Sequence, residues 1–302
     1  MANESELTKV ALVKSNSRSE AMRRSIELLK FNPVKGKEVL LKPNFNTADP
    51  YPGSTHPDAL REMIVYLKEM GAQKITIIER SGPVDSAEVI ENLGVNRMAE
   101  ELGVEVINID RLPPEEMVRV DPPDSHWQDG FMVPRMLKDA ECVVAMPCLK
   151  THQFGGVFTM SLKLAVGIVP KTGNNYMAEL HGSPHQRKMI AEINTGYDPD
   201  LIVMDAIEAF VEEGPMTGKK QKADLFLAGT DRIAIDAVGL AVLKDLGSTP
   251  QVKNTPIFEQ EQIKRAVELG LGIDSPAKIE LVTGDPESEA YANTIRSILD
   301  SD

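Results

Sequence analysis

The sequence contains few cysteines, and this scarcity excludes several classes of redox and metal protein. Only Cys142 and Cys148 occur among its 302 residues, and their five-residue gap matches neither a C-x-x-C redox motif nor a zinc motif. Two thiolates cannot supply the four ligands of a common iron–sulfur cluster, so no such cluster is expected. Both cysteines are therefore predicted to be structural and buried.

Long apolar runs are also missing. The longest candidate, residues 157–169, is interrupted by Lys163 and Gly167, so no membrane span is predicted. The first residues, MANESELTKV, show no basic segment followed by an apolar stretch, which is the pattern of a signal peptide. These observations predict a cytoplasmic protein without a membrane partner.

Positive charge is in short supply overall. Thirty-three Lys and Arg against 46 Asp and Glu give a formal net charge of −13, which disfavours nucleic acid and anionic lipid as partners. A local basic pocket for a small anion stays compatible with this balance. Hydrophobic residues at 42% and charged residues at 26% are typical of a globular protein with a packed core.

Short runs rich in Val, Ile and Leu recur along the chain and alternate with amphipathic stretches of helical spacing. This pattern predicts an α/β fold, with a mainly parallel sheet, helices on both faces and irregular Pro/Gly-rich excursions. We expect one sheet without short hairpin links to contain residues 39–41, 75–78, 142–146, 201–204 and 225–228. Residues 1–302 are predicted to form a single domain.

Three segments rich in Pro, Gly or Lys are predicted to be irregular. Residues 111–135 form an excursion with room for one short hairpin, and residues 171–185 and 212–222 are interpreted as loops. The clearest regular unit lies at residues 54–79. There, Thr55 and Asp58 make a capping box for a helix that starts near Pro57, and a strand ends at Glu79.

Polar residues follow the predicted strands, at the edge where ligands bind in open α/β sheets. They are Lys42, Asn44, Glu79, Lys150, His152, Asp205 and the pair Thr230-Asp231. If the strands are parallel, these residues converge on one crevice. We expect Lys42, Glu79, Lys150, His152 and Asp205 in particular to line one pocket.

The residue types indicate an anion site. Lys42, Asn44, His56 and Lys163 are predicted to bind substrate, and His56 lies beside the N-terminus of a helix, where backbone N–H groups favour an anion. Lys150, His152 and Glu79 are the predicted catalytic residues. Glu79, His152 and Asp205 could instead hold a divalent metal, although no fixed ligand spacing is present. Salt bridges from Glu79 or Asp205 to Lys42 or Lys150 are the structural alternative.

The ordered set of motifs resembles the domain of unknown function 362 family. The motifs are Lys42-Pro43-Asn44, Thr55-His56-Pro57, Glu79, Lys150-Thr151-His152, the helix at Thr159 to Gly167, Asp205, Gly214-Pro215, Asp231 to Asp236 and the segment ending at Gly272. The resemblance spans residues 9–284 and implies a fold and a site but no established reaction. Many members carry a ferredoxin-like module whose cysteines this chain lacks. The family's usual Leu-Lys-Asn is Leu162-Lys163-Leu164 here.

Two functions fit these observations. The first is an enzyme acting on a small carboxylate or phosphate metabolite, with or without a divalent metal. The second is a non-catalytic protein that binds a metal, a cofactor or a redox partner. No G-x-G-x-x-G, G-x-x-x-x-G-K-[ST] or G-x-S-x-G motif narrows the reaction, and neither the cofactor nor the oligomeric state can be assigned from the sequence.

Overall fold

A computed structural model describes residues 7–171 and 175–302 of the chain. Its strands are β1 (Thr8–Lys14), β2 (Glu38–Lys42), β3 (Lys74–Glu79), β4 (Glu105–Asn108), β5 (Met117–Val120), β6 (Phe131–Pro134), β7 (Cys142–Ala145), β8 (Cys148–His152), β9 (Val157–Thr159), β10 (Leu201–Glu213), β11 (Gly218–Gly229) and β12 (Ile279–Val282). Its helices are α1 (Arg18–Leu28), α2 (Pro57–Glu69), α3 (Ser86–Asn92), α4 (Val95–Leu102), α5 (Arg135–Lys138), α6 (Ser161–Leu164), α7 (Tyr176–Gly182), α8 (Gln186–Ile193), α9 (Arg232–Asp245), α10 (Pro250–Asn254), α11 (Glu261–Glu268) and α12 (Pro286–Ser301).

A ten-stranded sheet organises the fold, in the order β12-β1-β11-β10-β7-β2-β3-β4, with β8 beside β10 and β9 beside β8. Six of its nine strand pairings are parallel. The predicted α/β class with a mainly parallel sheet is thereby confirmed. Both β7 and β8 pair with β10 in the parallel direction. β7 pairs with the start of β10, and β8 pairs with residues farther along the same strand.

One predicted strand runs the other way. β11 is antiparallel to both β10 and β1, and residues 214–217 link β10 to β11 directly. The prediction that short hairpin links are absent was wrong, because residues 214–217 form such a link. Residues 212–213 and 218–222 of the predicted loop belong to the two strands instead. Glu212 pairs across the hairpin with Lys219 at 2.7 Å. Thr230 and Asp231 consequently lie at the opposite edge of the sheet from the ends of the parallel strands.

Alternate residues of the central strands face two separate apolar layers, as the pleat requires. Val10, Leu12, Ile202 and Met204 pack in the layer that also contains α9, α11 and α12. Ala11, Val13, Leu201 and Val203 pack in the layer that contains α1, α2, α3 and α4. Helices therefore cover both faces of the sheet. Because its central strands are buried on both sides, their sequences are apolar almost throughout.

Local structure differs from prediction at two helices. His56, rather than Thr55, is the N-cap of α2, because its Nδ1 accepts the Asp58 N–H while the Thr55 hydroxyl accepts the Asn44 N–H. Helix α7 occupies part of the segment interpreted as a loop, of which residues 172–174 lie outside the described residues.

The excursion at residues 111–135 contains a separate two-stranded antiparallel sheet, β5 with β6. Its apolar residues Trp127, Phe131 and Val133 pack against α8 in a third apolar cluster. Within the described ranges, no helix is long and apolar enough to cross a membrane.

Candidate functional site

Two adjoining cavities lie beyond the carboxyl ends of β2, β3 and β8. The inner cavity has a volume of about 40 Å³, and Lys42, Asn44, Glu79, Thr159 and Gly167 are among its lining residues. The outer cavity has a volume of about 790 Å³, which is in the range of small-molecule sites. The residues that line both cavities are Asn46, Arg80, Gly82, Lys163, Val166 and Pro215.

A buried ion pair forms the floor of the inner cavity. Lys42 Nζ lies 2.5 Å from Glu79 Oε1, and both side chains are 1% exposed. Glu79 also accepts the backbone N–H groups of Phe45 and Arg80. Burial lowers the pKa of Lys42 and raises the pKa of Glu79, while their mutual attraction opposes both shifts. The structural alternative drawn from the sequence, a salt bridge, is therefore how Lys42 and Glu79 are arranged.

Gly167 makes this pair sterically feasible. A Cβ atom on Gly167 would lie 2.7 Å from Glu79 Oε1 and 2.8 Å from Lys42 Nζ. Neither atom can give way easily, because both side chains are fully enclosed. The backbone at position 167 therefore lies too close to the ion pair for any residue with a Cβ atom, and only glycine fits there.

Lys150 has no carboxylate partner. Its ammonium group donates to the backbone carbonyls of Gly53 at 2.5 Å and Pro52 at 3.1 Å, and the residue is completely buried. Burial lowers the pKa of Lys150 to about 8. These two hydrogen bonds connect residues 50–54 to β8. The Lys150 ammonium group also adds positive charge near the cavities, where it acts on Lys163.

Lys163 projects from α6 into both cavities, and its ammonium group has no hydrogen-bond or ion-pair partner among the residues that the structure describes. Burial, followed by the charges of Lys150 and Arg80, lowers the pKa of Lys163 to about 7. Asp236 on α9 holds the start of α6, because its carboxylate accepts the N–H groups of Ser161 at 2.7 Å and Leu162 at 2.9 Å.

Arg80 is a second cation without an ion-pair partner in the described ranges. Its guanidinium group donates to the carbonyl oxygens of Val169, Ser81 and Val166, at 2.7 to 2.9 Å, and burial lowers its pKa to about 10. Lys171 is the third charged residue that lines the outer cavity, and it lies 3.3 Å from Asp110. No carboxylate is among the lining residues of the outer cavity in the described part of the chain.

Two histidines complete the outer cavity. His152 Nδ1 accepts the Gly156 N–H at 3.2 Å, and His181 Nδ1 lies 2.9 Å from Gln186 Nε2. Burial, with the nearby Lys163 charge as the second cause, lowers the pKa of both rings, so both are neutral near pH 7. A neutral ring that accepts at Nδ1 carries its proton on Nε2. His152 therefore has an N–H donor at Nε2, the nitrogen not used by Gly156.

The hydroxyl of Thr159 is a buried polar group without a partner. Thr159 lines the inner cavity and is 7% exposed, and its Oγ1 has no hydrogen bond within the described ranges. A buried hydroxyl without a partner is costly, and it commonly indicates a group that a ligand or water satisfies. Its position in the cavity makes a ligand contact the direct explanation.

Two predicted site residues lie elsewhere. Asp205 accepts from Arg18 Nε and from the Tyr51 hydroxyl, both at 2.6 Å, and lines neither cavity. His56 lines a different cleft together with Arg18 and Tyr51. The structure thus brings Lys42, Asn44, Glu79, His152 and Lys163 together, with Lys150 beneath them, and keeps His56 and Asp205 apart from them.

The three candidate metal ligands also occupy different positions. Glu79 accepts from Lys42, His152 accepts from Gly156, and Asp205 accepts from Arg18. Across the described residues, no group of three or more His, Cys, Asp or Glu side chains is arranged to hold a metal ion.

Sequence reasoning missed Arg80 and Thr159. Arg80 directly follows Glu79. Selection of residues just beyond strand ends would have found it if it had extended one position further. Thr159 gave a weaker signal, a hydroxyl inside an apolar run. Its missing hydrogen-bond partner can be recognised only in three dimensions.

Comparisons with known proteins place the chain among related sequences. The sequence profile of the family described as a domain of unknown function (DUF362) matches residues 39–241, more than half of the chain. A thylakoid-associated protein of Synechocystis sp. is 27% identical over 215 residues, which cover 69% of this chain. The matched region spans 64% of that relative, less than two thirds of its length.

Two solved structures show distant likenesses. The lactate racemase apoprotein from Thermoanaerobacterium thermosaccharolyticum has a TM-score of 0.48 and 12% identity, covering 98% of this chain and 87% of that one. A protein from Thermotoga maritima has a TM-score of 0.46 and 13% identity, covering 85% of this chain and 61% of that one.

Proposed function

This chain belongs to the domain of unknown function 362 family, and we propose that it is an enzyme that binds a small carboxylate or phosphate metabolite in its two adjoining cavities. The observation that carries the proposal is the charge of the outer cavity. Arg80, Lys163 and Lys171 line it, and no carboxylate does within the described ranges. A protein with a net charge of −13 therefore concentrates cations at one place.

Buried charges without counterions are costly, and this cost supports an anionic ligand. Arg80 and Lys150, which are buried, and Lys163, which is partly buried, have no carboxylate within ion-pair distance in the described part of the chain. A bound carboxylate or phosphate would supply the missing negative charge. Hydrogen bonds to charged groups contribute about 1.5–3 kcal/mol each, so two such contacts are sufficient for useful affinity.

Each residue has a proposed role that follows from its contacts. Lys163 and Lys171 hold the anionic group, while Arg80 adds its charge from the wall. His152, a neutral ring with a proton on Nε2, polarises the reacting oxygen of the ligand by donating a hydrogen bond to it. The Lys42–Glu79 pair and Lys150 shape the floor and its potential rather than binding the ligand directly, since their polar atoms already have protein partners.

Thermal unfolding with added anions tests the binding step. Wild type and a control, Lys253→Met, which removes an exposed lysine, should be stabilised by phosphate, sulfate or a small carboxylate in a concentration-dependent way. At a free anion concentration of a hundred times Kd, the free energy of unfolding should rise by about 2.7 kcal/mol. Lys163→Met should lose most of this shift. A wild type indifferent to every anion would remove the proposed site.

The alternative is a non-catalytic binding protein that uses the same pocket. Such a protein would be stabilised by its ligand but would leave it chemically unchanged, so product analysis after prolonged incubation separates the two readings. We also propose a single α/β domain and a cytoplasmic location. The second is supported by two buried free cysteines, each with a pKa that burial raises to about 12.

A further inference from the structure

We propose that the ε-amino group of Lys163 forms an imine with the carbonyl carbon of a small oxo acid, a substrate that carries both a ketone or aldehyde and a carboxylate. This inference rests on the proposed function, because it uses the same cavities and the same cations. It adds a covalent step and a substrate class to it.

The first support is the environment of the amine. Lys163 is the lysine that lines both cavities without a hydrogen-bond or ion-pair partner among the described residues, whereas Lys42 is paired with Glu79 and Lys171 lies beside Asp110. An amine that is not engaged by a carboxylate is free to act as a nucleophile. The outer cavity gives a substrate about 790 Å³ in which to approach it.

The second support is the protonation state, because only an unprotonated amine can attack a carbonyl group. Burial and the neighbouring charges of Lys150 and Arg80 lower the pKa of Lys163 to about 7. An ordinary lysine, with a pKa near 10.4, is unprotonated in roughly one molecule in a thousand or fewer at pH 7, whereas about half of the Lys163 side chains would be. Desolvation and a nearby cation are the two established ways of activating a lysine.

The third support is that an N–H donor and a hydroxyl line the same two cavities as the amine. A Cβ atom on Gly156 would lie 2.8 Å from His152 Nδ1 and 3.0 Å from Lys163 Cε, so the two side chains meet at that glycine. His152 carries a proton on Nε2. The unpartnered hydroxyl of Thr159 lines the inner cavity that Lys163 also lines.

These groups allow a balanced reaction. The Lys163 nitrogen lone pair forms a bond to the carbonyl carbon, and the carbon–oxygen π pair moves to the oxygen, which accepts a hydrogen bond from His152 Nε2–H. One proton passes from the nitrogen to that oxygen through the Thr159 hydroxyl, which accepts one proton and gives up another, and a neutral carbinolamine results. The carbon–oxygen bond then breaks, the second nitrogen proton leaves with the hydroxyl group as water, and the product is a neutral imine plus one water, with no net oxidation or reduction. Arg80 and Lys171 remain to attract the carboxylate while Lys163 is consumed in the bond.

Reductive trapping tests the step directly. The folded wild-type protein is incubated with sodium cyanoborohydride and pyruvate or glyoxylate, digested and mapped by mass spectrometry. The expected result is one adduct per chain, located on the peptide that contains Lys163. Acetone, which has the carbonyl group but no carboxylate, should give at least tenfold less adduct under the same conditions.

Two variants separate this inference from the proposed function. Lys163→Arg keeps a positive charge but cannot form an imine, so it should retain the stabilisation by small carboxylates and lose the adduct. Lys163→Met should lose both. Lys253→Met should behave as wild type in both assays.

The outcomes are distinguishable. If carboxylates stabilise the wild type but no adduct forms, or the adduct spreads over exposed lysines such as Lys253, the imine is refuted while the anion site stands. If no carboxylate stabilises the wild type and no adduct forms, both ideas are refuted. Should either Lys163 variant fail to fold, the position of the adduct in wild type still decides.

Discussion

Replacing Lys42 with Met isolates the contribution of the buried ion pair. The change removes the ammonium group 2.5 Å from Glu79 and leaves a carboxylate that is 1% exposed, whose remaining donors among the described residues are the backbone N–H groups of Phe45 and Arg80. Breaking a buried pair by removing one partner costs about 3–5 kcal/mol. We expect the free energy of unfolding to fall by that amount at pH 8, and a control, Lys253→Met, to change it by less than about 0.5 kcal/mol.

The cost should depend on pH, with a defined sign. Burial already raises the pKa of Glu79 above its ordinary 4.5, and loss of the Lys42 charge raises it further. Above pH 4.5 the unfolded chain releases the Glu79 proton while the folded variant retains it, so stability falls as the pH rises. The fall is about 1.4 kcal/mol per pH unit until the folded-state pKa is passed. Lys42→Met should therefore be closest to wild type near pH 5.

Urea unfolding monitored by circular dichroism at pH 5, 6.5 and 8 measures both effects. The double variant Lys42→Met/Glu79→Gln removes the stranded charge and should be more stable than Lys42→Met alone at pH 8. A loss below about 1 kcal/mol for the single variant at pH 8, or a loss that does not change with pH, would refute the description of the pair as buried and coupled.

Three further outcomes are expected. Gly167→Ala, whose Cβ would lie 2.7 Å from Glu79 Oε1, should lower the melting temperature by several degrees, whereas Gly182→Ala, which meets nothing within 4 Å, should not. Asp236→Asn should cost about 1–3 kcal/mol in urea unfolding, because an amide cannot accept both N–H groups at the start of α6. Thr159→Val should leave the melting temperature of the free protein equal or higher, while isothermal titration shows weaker binding of the same anions, because that hydroxyl has no partner among the described residues and a bound ligand would supply one.

The sequence was informative about the fold wherever apolar runs were long and uninterrupted. Residues 39–41 and 75–78 lie within β2 and β3 as predicted, because each run consists of aliphatic and β-branched residues with charged residues at both ends. The direction of β11 could not be obtained this way. Its first half is rich in Lys and Gln, which is typical of a loop, and cross-strand pairing with β10 decides its conformation.

The candidate site shows the same division between what spacing predicts and what packing decides. Position after a strand end selected Lys42, Glu79 and His152, and the structure places these residues around the two cavities. It failed for Asp205, whose carboxylate turns toward Arg18 and Tyr51, because the direction of a side chain at a strand end depends on partners distant in sequence. For the same reason, the sequence could not indicate which lysine is left without a partner.

The unequal sizes of the two cavities have a consequence for the range of compounds that the protein accepts. The inner cavity, about 40 Å³, admits a water molecule or one small functional group, whereas the outer cavity of about 790 Å³ leaves space around the remainder of a ligand. Discrimination should therefore be strict for the reacting end of a molecule and tolerant for its tail. In a homologous series, affinity should vary little with chain length and sharply with a single added methyl group at the head.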